Sequence, residues 1–357
     1  MPVSLSPARL RSQTYRLDLV VASPDQLTAA WPHKAAAARL HFVSGKGGTG
    51  KTTVAAALAL ALAEGGRRVL LVEVEGRQGI AQLFDVPPLP PKETKVAAAE
   101  GGGEVMALAI DIETAFLEYL DMFYNLGFAG RAMRRFGAIE FATTIAPGLR
   151  DVLLTGKIKE CVVRTDKSGN RVYDAVVVDS PPTGRIGNFL DVTKAMADLA
   201  KGGPVHAQSE GVVRLLHSDE TVVHLVTLLE ALPVQETADA AGDLIRSDLR
   251  LGTVVVNRTS PQFLSSEVLA DAAKGRIDAE KIHTGLRDAG IDLTEEDFAG
   301  LLTETIEHAS VLEAEKESAV QLEEVDGARL HLPSLSDGVD LGGLYELAEY
   351  LMEQGVR

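Results

Sequence analysis

Residues His41 to Thr53 read HFVSGKGGTGKTT, an apolar run that ends in a glycine-rich loop and passes straight into a helix-forming stretch. Gly45, Gly50, Lys51 and Thr52 fill the fixed positions of the phosphate-binding pattern G-x-x-x-x-G-K-[ST], with Lys46, Gly47, Gly48 and Thr49 inside it and Thr53 behind it. Glycines are needed because backbone N–H groups must close around phosphate oxygens without obstruction by a Cβ atom. The Lys51 ammonium is expected to reach the β- and γ-phosphates of ATP, and the Thr52 hydroxyl to ligate Mg²⁺. The helix that opens there aims its positive end at the same anion. Val54 to Ala63 (VAAALALALA) reads as a buried helix, far too short for the roughly 20 apolar residues of a membrane span.

Outward from the loop, Asp174 to Asp179 (DAVVVD) is a second apolar run ending in a carboxylate, the neighbour that a phosphate loop requires. Asp179 is therefore the expected Walker-B residue, holding the Mg²⁺ shell through water. Arg68 to Val74, Glu104 to Ile110, Thr221 to Leu228, Gly252 to Asn257 and Arg329 to Leu332 are further strands. Their nearly continuous apolar character suits parallel strands buried on both faces. Helices are expected over Phe189 to Ala200, Gly211 to His217, Val234 to Arg246 and Leu341 to Glu353, and through the acidic stretch Asp278 to Glu317, with Leu286, Ile291, Phe298, Leu301, Leu302 and Ile306 as its buried set. The expected fold is α/β, a doubly wound, mostly parallel sheet flanked by helices with ATP at the strand carboxyl ends. Residues 1–38 show no coherent period and are expected to be an extension. Residues 39–357 are expected to form a single ATPase domain, with an apolar helical subregion at about 112–162 and 186–220.

Composition sets the outer bounds. The chain has 357 residues, 46% hydrophobic and 24% charged, enough to bury a sizeable core. A formal net charge of -16 opposes a phosphate backbone, and no basic patch offsets it, so nucleic acid is not an expected partner. The single cysteine, Cys161, excludes an intrachain disulfide or a CxxC metal clip and fits a cytoplasmic location. No charged start, apolar block and small-residue cleavage site marks a leader, and the eight histidines show no metal spacing. The last helix carries Glu346, Glu349 and Glu353 rather than the basic face that anionic lipid would require, so no stable membrane insertion is expected.

With its second lysine, Lys46, the loop resembles the deviant Walker A loop of a family of dimeric ATPases. The family includes the arsenite-pump ATPase, the ATPase of guided entry of tail-anchored proteins, the septum-placing and DNA-partition ATPases, and the nitrogenase iron protein. The resemblance implies that Lys46 crosses to a partner's nucleotide like an arginine finger, a group that contributes roughly 10³ to 10⁵ in rate in related systems. Ser180 to Gly184 (SPPTG) resembles the family's Asp-Thr-Ala-Pro-Thr-Gly switch, and Ala146 to Leu149 (APGL) a short motif before the next helix. Asn257 resembles the asparagine that pairs with the adenine edge, an amide offering both donor and acceptor. Pro333, at the end of the last strand, is grouped with the nucleotide contacts.

Three departures stand out. Arsenite-pump and tail-anchor relatives carry Asp-Pro-Ala-His-Asn where this chain has Glu75 to Gly79 (EGRQG). A carboxylate moved by about one methylene, on the order of 1 Å, can cost roughly 10²-fold in rate, which makes Glu75 a slow base or none. Arg185 stands where these relatives usually carry histidine. Arsenite pumping requires a set of thiols and the nitrogenase iron protein two cysteines per subunit, and one cysteine excludes both. Two classes survive: an ATPase that moves or guards an apolar client, and a weakly hydrolysing partner subunit of a heterodimeric ATPase. The apolar tract from Ile112 to Phe141, with Met122 and Met133, is mostly core and also suits a client helix. The expected assembly is a homodimer or a heterodimer with a related subunit.

Overall fold

A computed structural model describes residues 31–124, 149–190, 204–336 and 338–357. The apolar runs all become strands of one sheet: β1 Leu40–Gly45, β2 Arg68–Glu73, β3 Thr94–Ala98, β4 Glu104–Ala109, β5 Ala175–Asp179, β6 Thr221–Thr227, β7 Leu251–Thr259 and β8 Ala328–Pro333. Their order is β3-β4-β2-β5-β1-β6-β7-β8. All neighbours are parallel except β3 and β4. The chain enters at β1 near the middle and winds outward in both directions. That sequence of crossovers is the doubly wound arrangement, and it opens a crevice at the carboxyl end of the central strands. The edge strand β3 is absent from the expectations above. Its sequence TKVAA lacks the β-branched, aromatic density of the interior strands, and it forms only by returning antiparallel on β4.

Side-chain alternation divides the core into two layers. One face carries Leu40, Phe42, Leu70, Val72, Val176, Val178, Val223 and Leu225, covered by helices that include Leu149–Val163 and Thr183–Leu190. The other carries Val43, Val69, Leu71, Val105, Ala107, Ala175, Val177 and Val226, under α2 Lys51–Ala63 and the C-terminal helix Leu341–Glu353. Every residue of α2 from Val54 to Ala63 is buried. Its alanines let it lie close between sheet and C-terminal helix, which contributes Leu344, Leu347, Ala348 and Leu351 while Glu346, Glu349 and Glu353 face solvent. Each buried leucine or valine in these layers contributes about 1.5 to 3 kcal/mol.

Among the described residues of the apolar subregion, Phe116, Leu154, Ile158, Phe189, Val212 and Leu216 belong to the sheet's core rather than to a free surface. Phe42 and Phe189 meet edge to face at 6.4 Å. Phe128, Met133, Phe136, Ile139, Phe141 and the segment Ala146 to Gly148 lie outside the described residues, as do the side chains of Met122, Phe123, Tyr124 and Leu149, residues 191–203 and residues 1–30. Of residues 31–38, expected to belong to an extension, Trp31, Ala35 and Ala38 are buried. The short helix α1 His33–Ala36 buries Ala35, and Trp31 is 5% exposed. Trp31 stacks on His224 at 5.3 Å, and the His224 and His41 rings lie nearly parallel, at 8°.

Residues 260–313 belong to a compact unit distinct from the sheet. Helices Ser266–Ala272, Ala279–Asp288 and the first part of Glu295–Leu322 occupy it. Its core is Leu269, Ala272 and Ala309, not the set expected from the sequence. Ile291 and Leu301 are 48% and 37% exposed. The expected helical stretch is broken between Asp288 and Glu295, so Ile291 falls in a loop, and Ala279–Asp288 has no fully buried residue. His283 packs edge to face on Phe298, and the His308 ring nitrogen Nε2 lies 2.9 Å from the Pro261 carbonyl, so both act in packing.

Candidate functional site

The carboxyl ends of β1, β2 and β5 meet beneath the start of α2, and the predicted loop spans that meeting point. Gly50 caps α2 in the left-handed region at φ 88°. A Cβ there would strike the Asn257 amide, and one on Gly45 would strike the Val226 carbonyl. Backbone conformation and close approach thus both demand glycine at these two positions. The Thr49 hydroxyl donates to the Lys46 carbonyl at 2.9 Å, and the Lys51 ammonium donates to the same carbonyl at 3.3 Å. Burial lowers the Lys51 pKa, while the charges of Asp179 and Glu75 oppose the shift.

Thr52 and Asp179, distant in sequence, are joined directly: the Thr52 hydroxyl donates to Asp179 Oδ2 at 2.7 Å. The other oxygen, Oδ1, is buried without a partner. Burial pushes the Asp179 carboxyl up to about 6, against the hydrogen bond from Thr52 and the charge of Lys51, while Glu73 and Glu75 add to the rise. A hydroxyl beside a carboxylate with an orphaned oxygen is a hard, oxygen-rich donor set that fits Mg²⁺. No three His, Cys, Asp or Glu among the described residues would hold a metal by themselves. Ser44, just before the loop, donates through its hydroxyl to the Pro181 carbonyl at 2.8 Å, tying β1 to the Ser180 to Gly184 segment.

Two of the three departures, Glu75 and Arg185, meet in space. Arg185 Nη1 lies 3.7 Å from Glu75 Oε1, and Arg77 Nη2 lies 3.4 Å from Glu75 Oε2. Both oxygens of the expected base are thus claimed by guanidinium groups. Glu75, Arg77 and Arg185 line a cleft of about 240 Å³ together with Arg150 and Asp151. Lys46 is also engaged within the chain: its ammonium lies 3.1 Å from Glu236 Oε1 on the helix Ala231–Arg246. Asn257, 5% exposed, donates its amide hydrogen to the Thr49 carbonyl at 2.9 Å and so braces the phosphate loop. Pro333 ends β8, paired with Thr259 of β7. Sequence reading did not single out Glu73 or Glu236. Glu73 could have been noticed as the one ionisable residue inside RVLLVEV after its opening arginine.

A doubly wound sheet with this loop at its crevice defines a P-loop nucleoside triphosphatase. The profile of the anion-transporting ATPase family matches residues 38–203. The chain is 68% identical over 330 residues to the ATPase BagA of Mycobacterium tuberculosis, covering 92% of this chain and 97% of that protein. It is 26% identical over 239 residues to an arsenical pump-driving ATPase of Acidiphilium multivorum, covering 62% of this chain and 39% of that one. It is 23% identical over 252 residues to the ATPase GET3 of Kluyveromyces lactis, covering 61% and 71%. The protein belongs to the anion-transporting ATPase family, whose relatives include arsenical-pump and GET3 ATPases. No helix among the described residues is long and apolar enough to cross a membrane.

Proposed function

We propose that this chain binds Mg²⁺-ATP at the loop Gly45 to Thr53 and cycles between nucleotide states as one half of a dimer. The observation that carries the reading is the Thr52 to Asp179 hydrogen bond beside the unpartnered Asp179 Oδ1, directly under the glycine loop. Lys51 meets the phosphates, the loop's N–H groups cradle them, and Thr52 with Asp179 holds the cation. Held there by Thr52 and Asp179, Mg²⁺ would offset negative charge on the phosphates. Lys51→Ala is expected to abolish Mg²⁺-dependent ATP binding, measured by calorimetric titration. Unchanged affinity in that variant removes the assignment.

Glu75 is the residue best placed by sequence to orient the attacking water, and its two arginine partners favour slow hydrolysis by this chain alone. The deviant loop lysine Lys46 is the group the chain lends to a partner, which favours work with a related subunit that retains the aspartate. A hydrophobic client protein is the proposed load, on the strength of the apolar tract around Phe116 to Phe141. An apolar dye is expected to bind differently in the ADP and ATP states, and equal signals would speak for plain core.

A further inference from the structure

Glu73 ends β2 and is 2% exposed, a carboxylate sealed against the sheet. Such a group needs a full set of partners. It has half of one: Oε1 accepts from the Gly79 N–H at 3.3 Å, while Oε2 is buried with no partner. In the β2–β5 register Glu73 stands directly beside Asp179, whose Oδ1 is orphaned in the same way. Alternation fixes the face. Glu73 follows Val69 and Leu71, and Asp179 follows Ala175 and Val177, all four in the layer beneath α2. Both carboxylates therefore leave the sheet on the side where Thr52 opens α2. Gly79, the donor to Glu73, closes the same corner, since a Cβ on it would lie 3.3 Å from the Thr52 methyl. Two sealed acid oxygens on one face, both unmet, repel each other when both are ionised, and a proton or a metal cation between them relieves it.

We propose that Glu73 joins Asp179 in the carboxylate set that holds Mg²⁺. This rests on the Mg²⁺-ATP reading and extends it: two acids neutralise a divalent ion at the site, while Glu75 is drawn off by Arg77 and Arg185. The cation becomes the missing partner of both orphaned oxygens. Glu73 is a cation ligand or positions one, and nothing in this assignment makes it the base of hydrolysis.

The test uses the full chain, with Mn²⁺ titrated by electron paramagnetic resonance in the presence of ADP. Glu73→Gln keeps an acceptor for the Gly79 N–H and removes only the charge. It is expected to weaken Mn²⁺ binding by about 10- to 100-fold, the loss typical of a removed supporting ligand. ADP affinity in excess EDTA is expected to be unchanged or tighter. Glu73→Asp, which keeps the charge, is expected to bind Mn²⁺ more tightly than Glu73→Gln. The metal-free Glu73→Gln protein is expected to melt no lower than the parent, because a buried carboxyl oxygen without a partner is gone. Asp179→Asn runs in parallel. If Asp179→Asn loses Mn²⁺ and Glu73→Gln does not, the Glu73 assignment is overturned and the Mg²⁺-ATP reading stands. If neither loses it, both are overturned. A lowered melting temperature with unaltered Mn²⁺ affinity makes Glu73 a packing residue and also overturns the proposal.

Discussion

At the scale of single residues, the site holds charge where burial opposes it. Asp179 has its carboxyl raised to about 6 chiefly by desolvation, so ionising it at neutral pH costs the metal-free fold about 3 kcal/mol. The sign follows from linkage. A carboxyl whose pKa rises on folding stabilises the fold below its unfolded value, and that contribution is lost as pH rises through 6. Asp179→Asn removes the charge and keeps an acceptor for Thr52. It is expected to stabilise the metal-free protein at pH 7 by up to about 3 kcal/mol while abolishing the Mg²⁺ dependence of nucleotide binding. Urea unfolding in EDTA beside a nucleotide titration reads both, and a destabilised variant contradicts the account. Stability given up at the point of chemistry is the general pattern for functional sites.

At the scale of elements, the strand that feeds the loop is fixed from behind by a polar chain inside the core. His41 on β1 lies 3.2 Å through Nε2 from the Ala38 carbonyl and 3.1 Å through Nδ1 from His224 Nε2 on β6. His224 Nδ1 lies 2.8 Å from the Thr253 hydroxyl on β7. One set of tautomers satisfies every atom: His41 donates to Ala38, His224 donates to His41, and Thr253 donates to His224. That requires both rings neutral, and burial pushes His41 down to about 4 and His224 well below its usual range. The unfolded chain thus binds protons that the fold refuses between pH 6.5 and 4. Stability present above 6.5 is lost as pH falls toward 4, by about 3 kcal/mol for His41. His41→Phe is expected to lower stability at pH 7 by about 1 to 3 kcal/mol through the orphaned partners, and to flatten this acid slope. Urea unfolding at several pH values checks it, and an unchanged slope rules the pair out as its source. These strands were legible because each is a continuous apolar run, and helix Leu341–Glu353 because its apolar stripe is strict. The histidine chain was not, since three residues on three strands share no spacing, and β3 was not, since only its neighbour makes it a strand.

At the scale of the whole molecule, the fold and the phosphate loop were readable from the chain, and the couplings around the loop were not. Glycine positions, Lys51, Thr52 and Asp179 follow from a local pattern that one chemistry imposes. The pairs Lys46–Glu236 and Glu75–Arg185 join segments far apart in sequence, which no local pattern encodes. Together they give the proposed dimer a resting state, with Lys46 paired to Glu236 and Glu75 paired to Arg185. Mixing this chain with a related subunit that keeps the aspartate is expected to raise ATP turnover by roughly 10³ over the homodimer, the scale of a group supplied in trans. Lys46→Ala is expected to remove that gain, and Glu236→Gln to let it appear at lower partner concentration. Brisk hydrolysis by the homodimer, reduced by Glu75→Gln, would instead make Glu75 competent and the second subunit unnecessary.

The stack of Trp31 on His224 and His41 has an optical consequence. Trp31 is the chain's sole tryptophan, and its indole lies nearly parallel to the His224 ring, at 12°. An excited indole is quenched far more strongly by an imidazolium than by a neutral imidazole. Intrinsic tryptophan fluorescence therefore comes from one known place, at the root of the strand that carries the phosphate loop, and it darkens when that root takes up a proton or brightens and reddens when the tryptophan lifts away. No label is needed to watch the loop's foundation.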